Sequence, residues 1–447
     1  MSTSSIRSRR RRLVVAASLG LLLVGSAAAP ALAESTRSTQ WHLDAMHAEE
    51  MWKVSTGKGV TVALLDSGVD VTHPDLQGQI LPGKDFTSEE PGSERTDTEG
   101  HGTGMAGVIA GTGKLNGGNG AFGLAPGVKI LPVRLADTDL SGSRQDQADE
   151  YQKPVSEAIR YAADQGAKVI NISQGVIHGS PQLTSAVKYA LDKGSLIFAA
   201  VGNEGDTDIE YPAATPGVVG IGAIGKDGKK TQESQHGPLV DFVAPGWDIV
   251  ASCTKTTRLC KTSGTSDATA LASASAALIW SQHPTWTNNQ VLRVMLNTAG
   301  SPRSGEKRTD FLGYGTVRPR IALKTPGDPG PAGEYPLPDL AAAAPESPST
   351  QPSKASGGTE SDKKQPDTAA PASHDDSNTG LWIALGVGAA ALIGAAVAAL
   401  VIRSRRRVAV SSPASPVPDQ QQPQFPAYGP PQAGQGQSPQ SGPGQPG

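Results

Sequence analysis

The chain has 447 residues and a formal net charge of -3, with an isoelectric point near 6.3, which gives no reason to invoke a nucleic-acid partner. Hydrophobic residues make up 37% and aromatic residues only 4%, the latter low in part because the tails contain so few. Only two cysteines are present, Cys253 and Cys260.

Arg7 and Arg9 to Arg12 precede the apolar run Leu13 to Val24, and Ala31-Leu32-Ala33 offers a small-residue cleavage site. Residues 1–33 are therefore expected to be a secretory signal peptide. No bulky aromatic follows the arginines, so the general export route is expected rather than the twin-arginine one.

Residues 34–324 suit one large domain. Within it the runs "GVTVALLD", "VKILPVRL", "AKVINIS", "SLIFAAVG" and "VVGIGAIG" read as buried parallel strands. The stretches "PVSEAIRYAADQGA" and "PQLTSAVKYALDKG" fit amphipathic helices that begin with proline near the first turn and end at glycine punctuation. This alternation predicts an α/β fold, an open parallel sheet with helices on both faces, whose chemistry sits at the carboxyl ends of the strands.

Four polar residues fall at such places. Asp66 ends the strand "VTVALLDSG", where its carboxylate can accept from a histidine ring and fix its tautomer. His101 opens the Gly/Ala-rich helix of "GHGTGMAGVIAG". Asn203, in "FAAVGNEG", follows a buried strand through a glycine and can offer an amide to an oxyanion. Ser266 begins the helix of "GTSDATALASASAALIW", where its own N–H is free to donate. Each motif alone has an ordinary structural explanation as a turn or a capped helix; all four together, in this order, point to nucleophilic acyl transfer.

Beyond the domain, residues 325–380 turn to Pro, Ala, Ser, Gly, Asp and Lys, the composition of a disordered linker. Leu381 to Ile402 is an uncharged apolar run, about 33 Å long as a helix and so long enough for a bilayer core. "RSRRR" follows at once, as the positive-inside rule expects for a single span. Residues 403–447 then form a basic stop and a Pro/Gln/Gly-rich tail, expected to be disordered in the cytoplasm. The domain would sit outside the plasma membrane. In that oxidising setting a disulfide between Cys253 and Cys260 is favoured over two free thiols or half a metal site.

The blocks "VALLDSGVDVTHPDL", "GHGTGMAGVIAG", "VINISQG", "AAVGNEG" and "SGTSDATALASA" resemble those of subtilisin-family serine proteases, and the likeness runs from about Trp41 to Leu323. The order Asp, His, Ser matches the triad order of that family. A finer resemblance is to its mycosin branch, the membrane-anchored actinobacterial proteases associated with type VII secretion, which share this layout of signal, protease domain, Pro-rich linker and one carboxy-terminal helix. The resemblance implies peptide-bond hydrolysis without a cofactor: Ser266 attacks, His101 carries the proton, Asp66 orients His101, and Asn203 with the Ser266 N–H holds the oxyanion. It also implies that Ser173, Gln174 and Gly175 pair with the substrate backbone as an added strand. Substrates would be proteins or peptides, and the secretion machinery a partner. The competing reading is a non-catalytic scaffold of the same fold bracing a secretion complex.

Departures from the family pattern carry expectations of their own. Ala270 replaces a common proline just past the nucleophile, and Gly104 replaces a second histidine. The few residues after Ala33 leave no room for a folding prodomain, so Glu34 to Gln40 are expected at most as a short extension lying across the domain. Asp75 and the loop Asn116 to Gly120 fall where relatives bind calcium, but turn chemistry explains that loop without an ion. Asp267 beside the nucleophile is expected to cap its helix, gaining about 0.3 to 1 kcal/mol from the dipole, and to favour the charged form of His101. Finally, between Asn203 and the Tyr211-Pro212 pair lie the acids Glu204, Asp206, Asp208 and Glu210. By family position Glu204 and Glu210 would face the pocket for the side chain before the cleaved bond; a solvated acidic loop is the alternative.

Overall fold

The computed structural model describes residues 35–87, 91–136 and 143–342. The expected signal peptide, membrane span and tail lie outside them, and no helix among the described residues is long and apolar enough to cross a membrane. Seven strands form one parallel sheet: β1 (Thr61–Asp66), β2 (Lys84–Asp85), β3 (Lys129–Arg134), β4 (Val169–Ile172), β5 (Leu196–Ala200), β6 (Val218–Ile224) and β7 (Phe242–Pro245). Their order across the sheet is β2-β3-β1-β4-β5-β6-β7. The chain thus departs from β1 to one side and returns to β4 on the other, which opens a crevice at the carboxyl ends of the central strands.

The strands are apolar on both faces, as a sheet covered on both sides requires. Val62 and Leu64 face one core with Val169, Phe198 and Ile221, while Ala63 and Leu65 face the other with Leu131, Ile170 and Ile197. The first core is closed by helices α1 (His101–Ala110) and α4 (Thr265–Gln282), the second by α2 (Arg144–Asp164) and α3 (Pro181–Asp192). Helix α4 is buried from Thr265 to Trp280 and is built largely of Ala and Ser, so it packs closely against five strands at once, β1 and β4 to β7. Ser180 caps α3 through the Leu183 N–H, and Pro181 occupies its first turn as expected.

Helix α2 starts earlier than its proline suggested. Ser143 and Asp146 form a reciprocal capping box that begins the helix ten residues before Pro154, which is tolerated inside it. A two-stranded antiparallel hairpin, β8 (Ile249–Ser252) and β9 (Leu259–Thr262), leads into α4. Cys253 and Cys260 are joined by a disulfide across it, with Cα atoms 5.5 Å apart.

At the amino-terminal side a short helical turn, Thr36–Thr39, lies across the domain, with the Thr36 N–H donating to Asn119 Oδ1 at 2.8 Å. Gln40, fully buried, ties this segment to Phe122 and Val250. The expected linker boundary at Thr325 moves. After α5 (Asn288–Thr298) and α6 (Pro319–Lys324), residues 326–342 stay on the domain and end in α7 (Pro338–Ala342). Gln290, Arg293 and Thr287 donate to the carbonyls of Gly330, Glu334 and Ala332, Leu337 is 3% exposed, and Asp339 accepts from the Gly217 N–H at 2.6 Å. Side-chain donors from α5 and its cap thus order the Pro/Gly-rich stretch before α7, which has no helix or strand to satisfy its carbonyls.

Candidate active site

Asp66 is the last residue of β1 and is 1% exposed. Its Oδ1 accepts from His101 Nδ1 at 2.7 Å and from the Ser67 N–H at 2.9 Å. A carboxylate can only accept, so the proton belongs on Nδ1, and Nε2 becomes the basic nitrogen of the ring. His101 is held where α1 begins because Asp97 gathers that turn: its carboxylate accepts from the N–H groups of Gly100 and Thr103, the Thr103 hydroxyl and the Ser67 hydroxyl, at 2.6 to 3.0 Å. Asp97 was not anticipated from the sequence. Its signal is an acid shortly before a helix start, the ordinary place of a cap.

Ser266 lies in the first turn of α4, 7% exposed, and its hydroxyl donates to the Ser173 carbonyl at 3.1 Å. Among the described residues no hydrogen bond joins it to His101. Both side chains line one cleft of ≈ 520 Å³. Helix α4 starts without distortion despite Ala270, and Gly104 is buried inside α1. Neither departure reaches the reacting groups.

Asn203 follows β5 through Gly202. Its Oδ1 accepts from the Thr265 N–H at 2.8 Å and the Thr265 hydroxyl at 3.1 Å. With the oxygen held there, the amide NH2 turns to the cleft that Asn203 lines. Asn203 and the amino end of α4 both border the cleft beside Ser266, and an amide that donates to an oxyanion is worth about 100- to 1000-fold in kcat. Asn203→Ala is expected to lower kcat on a peptide substrate by that factor with KM nearly unchanged. Steady-state kinetics check it; a loss confined to KM would give the amide a ground-state role instead.

Ser173, Gln174 and Gly175 form the opposite wall. Ser173 is positioned by a relay in which Ser273 donates to Asn171 and Asn171 to Ser173, both at 2.9 Å. The edge continues into a reciprocal backbone pair between Val176 and Tyr211, at 2.9 and 2.7 Å, which brings the acidic loop alongside. Glu204 and Glu210 both line the cleft. Burial, and then the charge of Glu204 beside it, push the Glu210 carboxyl up to about 8.

Asp267 is 1% exposed and accepts from the Thr262 hydroxyl at 2.7 Å. Its negative end is therefore met by a side chain of β9 as well as by the helix terminus, a partner the sequence reading did not name. Burial raises its pKa to about 6, opposed by the Thr262 bond and the charge of His101. For His101, desolvation disfavours the charged ring, but the charge and hydrogen bond of Asp66, and then the fields of Asp267 and Asp97, outweigh it and lift the pKa to about 9. Only the neutral ring can take a proton, so activity should climb with pH through the His101 titration. Near that limb Asp267 is ionised, and removing its charge destabilises the imidazolium. Asp267→Asn is thus expected to move the acid limb of kcat/KM to lower pH, by up to about one unit for a charge this close. No side chain caps the start of α4 at Gly264, so superimposable pH profiles for the two proteins would leave Asp267 with its Thr262 bond and its place in the first helical turn.

The remaining sequence features find structural partners. Asp75, fully buried, accepts from the N–H groups of Leu115 and Ala121 at 2.7 and 2.9 Å and from the Ser252 hydroxyl at 3.5 Å. The Asn116 to Gly120 loop is thus fastened to Asp75 by hydrogen bonds, with Asn116 and Gly117 left-handed at φ 51° and 72°. Among the described residues no group of three or more His, Cys, Asp or Glu is arranged to hold a metal ion. Within the disulfide loop, Arg258 pairs with Asp70 at 2.8 Å and its carbonyl meets the buried His73 ring, also at 2.8 Å.

A parallel sheet with an aspartate, a histidine, a helix-terminal serine and an asparagine amide around one cleft defines the serine-peptidase class built on this topology. The sequence pattern of the Subtilase family matches residues 57–316, and the chain belongs to that family. It is 37% identical over 246 residues to thermitase of Thermoactinomyces vulgaris, a match covering 55% of this chain and 83% of that one. It is 38% identical over 267 residues to the thermophilic serine proteinase of Bacillus sp. (strain AK1), spanning 62% of that protein's length. Among solved structures it is similar to MycP1 from Mycobacterium smegmatis, with a TM-score of 0.59 and 28% identity over 66% of this chain and 87% of that one. A second is the MycP3 protease of the type VII (ESX-3) secretion system, with a TM-score of 0.56 and 29% identity over 63% and 87%.

Proposed function

We propose that this protein is a membrane-anchored, extracytoplasmic serine endopeptidase that cleaves peptide bonds through an acyl-enzyme. The observation that carries the reading is the Asp66–His101 hydrogen bond of 2.7 Å in the same cleft as Ser266 and the Asn203 amide. Ser266 Oγ attacks the carbonyl carbon as its proton passes to His101 Nε2. The tetrahedral oxyanion takes hydrogen bonds from the Asn203 amide and the Ser266 N–H. His101 then gives its proton to the leaving amine, the acyl-enzyme forms, and water reverses the sequence. Asp66 fixes the ring and steadies its charge throughout. The chain's own groups and the hydrolytic water supply every proton and electron pair, so the reaction asks for no cofactor.

The anchor rests on the sequence, on the uncharged run Leu381 to Ile402 followed by "RSRRR". A role beside a type VII secretion system rests on the likeness to MycP1 and MycP3 and on that layout. The deciding experiment treats the full chain in membranes with a fluorophosphonate probe. Labelling of the wild type and not of Ser266→Ala supports the reading, and absence of labelling in both returns the protein to the scaffold alternative. Secretion that survives Ser266→Ala would separate the catalytic role from any bracing one.

A further inference from the structure

Of the four acids in the loop, Glu204, Asp206 and Asp208 are exposed, and Glu210 is half-buried. Ideal Cβ atoms built on the two glycines that flank it show how the cleft reaches it: on Gly175 such an atom would lie 2.6 Å from Glu210 Oε2, and on Gly202 it would lie 2.8 Å from Glu210 Cδ. Any side chain at either position would cover the carboxyl. Glycine at both leaves Glu210 open from the cleft, between the substrate edge and the residue before Asn203.

A second observation comes from the loop after β6. Gln235 is 1% exposed, and its Nε2 donates to Glu204 Oε2 and Asp206 Oδ1, both at 3.2 Å. Its Oε1 has no hydrogen-bond partner, and it lies 2.1 Å from the same point beside Gly202 that Glu210 approaches. A buried acceptor without a donor is costly, and one set next to two carboxylates suits a group that brings several N–H donors and a positive charge.

The third observation concerns Arg144, at the start of α2. Its guanidinium lies 3.5 Å from Glu204 and 3.9 Å from Asp208, with its side chain 54% exposed. Exposed pairs of this length are weak and readily exchanged. Apart from His101, the residues that line the cleft include no basic side chain.

We propose that the pocket walled by Gly175, Gly202, Glu204 and Glu210 selects a lysine or arginine immediately before the cleaved bond, and that Arg144 is a resident counter-ion competing with that side chain for Glu204. The proposal rests on the serine-peptidase reading and deepens it. A cationic side chain seated there keeps Glu210 ionised, as any opposite charge lowers the pKa of a carboxyl. A leucine or phenylalanine would cover the half-buried Glu210 carboxyl without bringing it a donor.

The test measures kcat/KM at about pH 9, where His101 serves as a base, for peptides that differ only in that one residue: Arg, Lys, Leu or Phe. The basic peptides are expected to be cleaved at least about 10-fold better, the scale of one charge-assisted hydrogen bond. Glu210→Gln should shrink that ratio about 10-fold, and Arg144→Ala should widen it several-fold, because the competitor is gone. Hydrolysis of Leu or Phe peptides at an equal or higher rate overturns the proposal, as does a ratio that Glu210→Gln leaves unchanged. Should Glu210→Gln not fold, the exposed Arg144→Ala decides: a ratio that widens supports the proposal and an unaltered one overturns it. Failure of every peptide together with absence of fluorophosphonate labelling sinks the peptidase reading itself, an outcome distinct from cleavage with the wrong preference.

Discussion

Ser266→Ala is expected to lower kcat on any peptide substrate by about a million-fold, because on the proposed mechanism it deletes the atom that forms the acyl-enzyme. What survives is the polarisation of the carbonyl by the Asn203 amide and the residue-266 N–H, which still accelerates attack by water. The fold should tolerate the change. Ser266 sits in a helix buried from Thr265 to Trp280, alanine is the best helix former, and the hydroxyl makes one recorded bond, to the Ser173 carbonyl. Loss of that bond costs about 1 kcal/mol. Single-turnover kinetics with a thermal melt check both halves: activity gone, midpoint within a few degrees. Residual activity above about one hundredth of wild type would mean that another group serves as nucleophile.

Asp66→Asn is expected to cost about 10,000-fold in kcat while leaving the cleft's shape intact. The carboxamide is nearly isosteric. One carboxylate oxygen, Oδ1, now accepts from both the Ser67 N–H at 2.9 Å and His101 Nδ1 at 2.7 Å. A carboxamide oxygen in that place keeps both bonds but brings no charge, so the imidazolium formed during attack loses the carboxylate that steadies it. With the NH2 in that place instead, Nδ1 must accept, and the ring proton moves to Nε2, the nitrogen that must be bare to take the proton of Ser266. Two consequences separate this from a merely structural lesion. The His101 pKa, lifted to about 9 largely by Asp66 against desolvation, should fall, and its NMR titration should follow. The melting temperature should change little by comparison. A variant that keeps a tenth of wild-type activity would show that His101 is oriented by something other than Asp66.

Much of this was legible in the chain because the decisive residues obey local rules. Asp66, Ser173 and Asn203 stand at or just past the ends of strands that announce themselves as unbroken apolar runs, and Ser180 with Pro181 marks its helix start plainly. Helix α2 shows where local rules collide. Pro154 is a strong start signal and Ser143 with Asp146 is a stronger one, but the capping box lies among polar residues whose helical periodicity only tertiary packing of Ala148 and Tyr151 reveals. Residues 326–342 fail for a related reason: their order comes from Thr287, Gln290 and Arg293, donors contributed from elsewhere in the chain, and composition carries no trace of a partner. The same holds for Thr262 on Asp267 and Gln235 on Glu204, pairs that exist because β9 and the loop after β6 are folded back, and that no spacing along the sequence encodes.

The docking of residues 326–342 also fixes a direction. Asp339 meets Gly217, at the point where the chain enters β6, whereas Asp66, Ser173 and Asn203 lie where β1, β4 and β5 let the chain out. In a parallel sheet these are opposite poles of the body. Residues 326–342 therefore brace the domain at the pole away from the cleft, like a foot-ring under a bowl, and leave the mouth to the loops that carry Ser173 and Asn203.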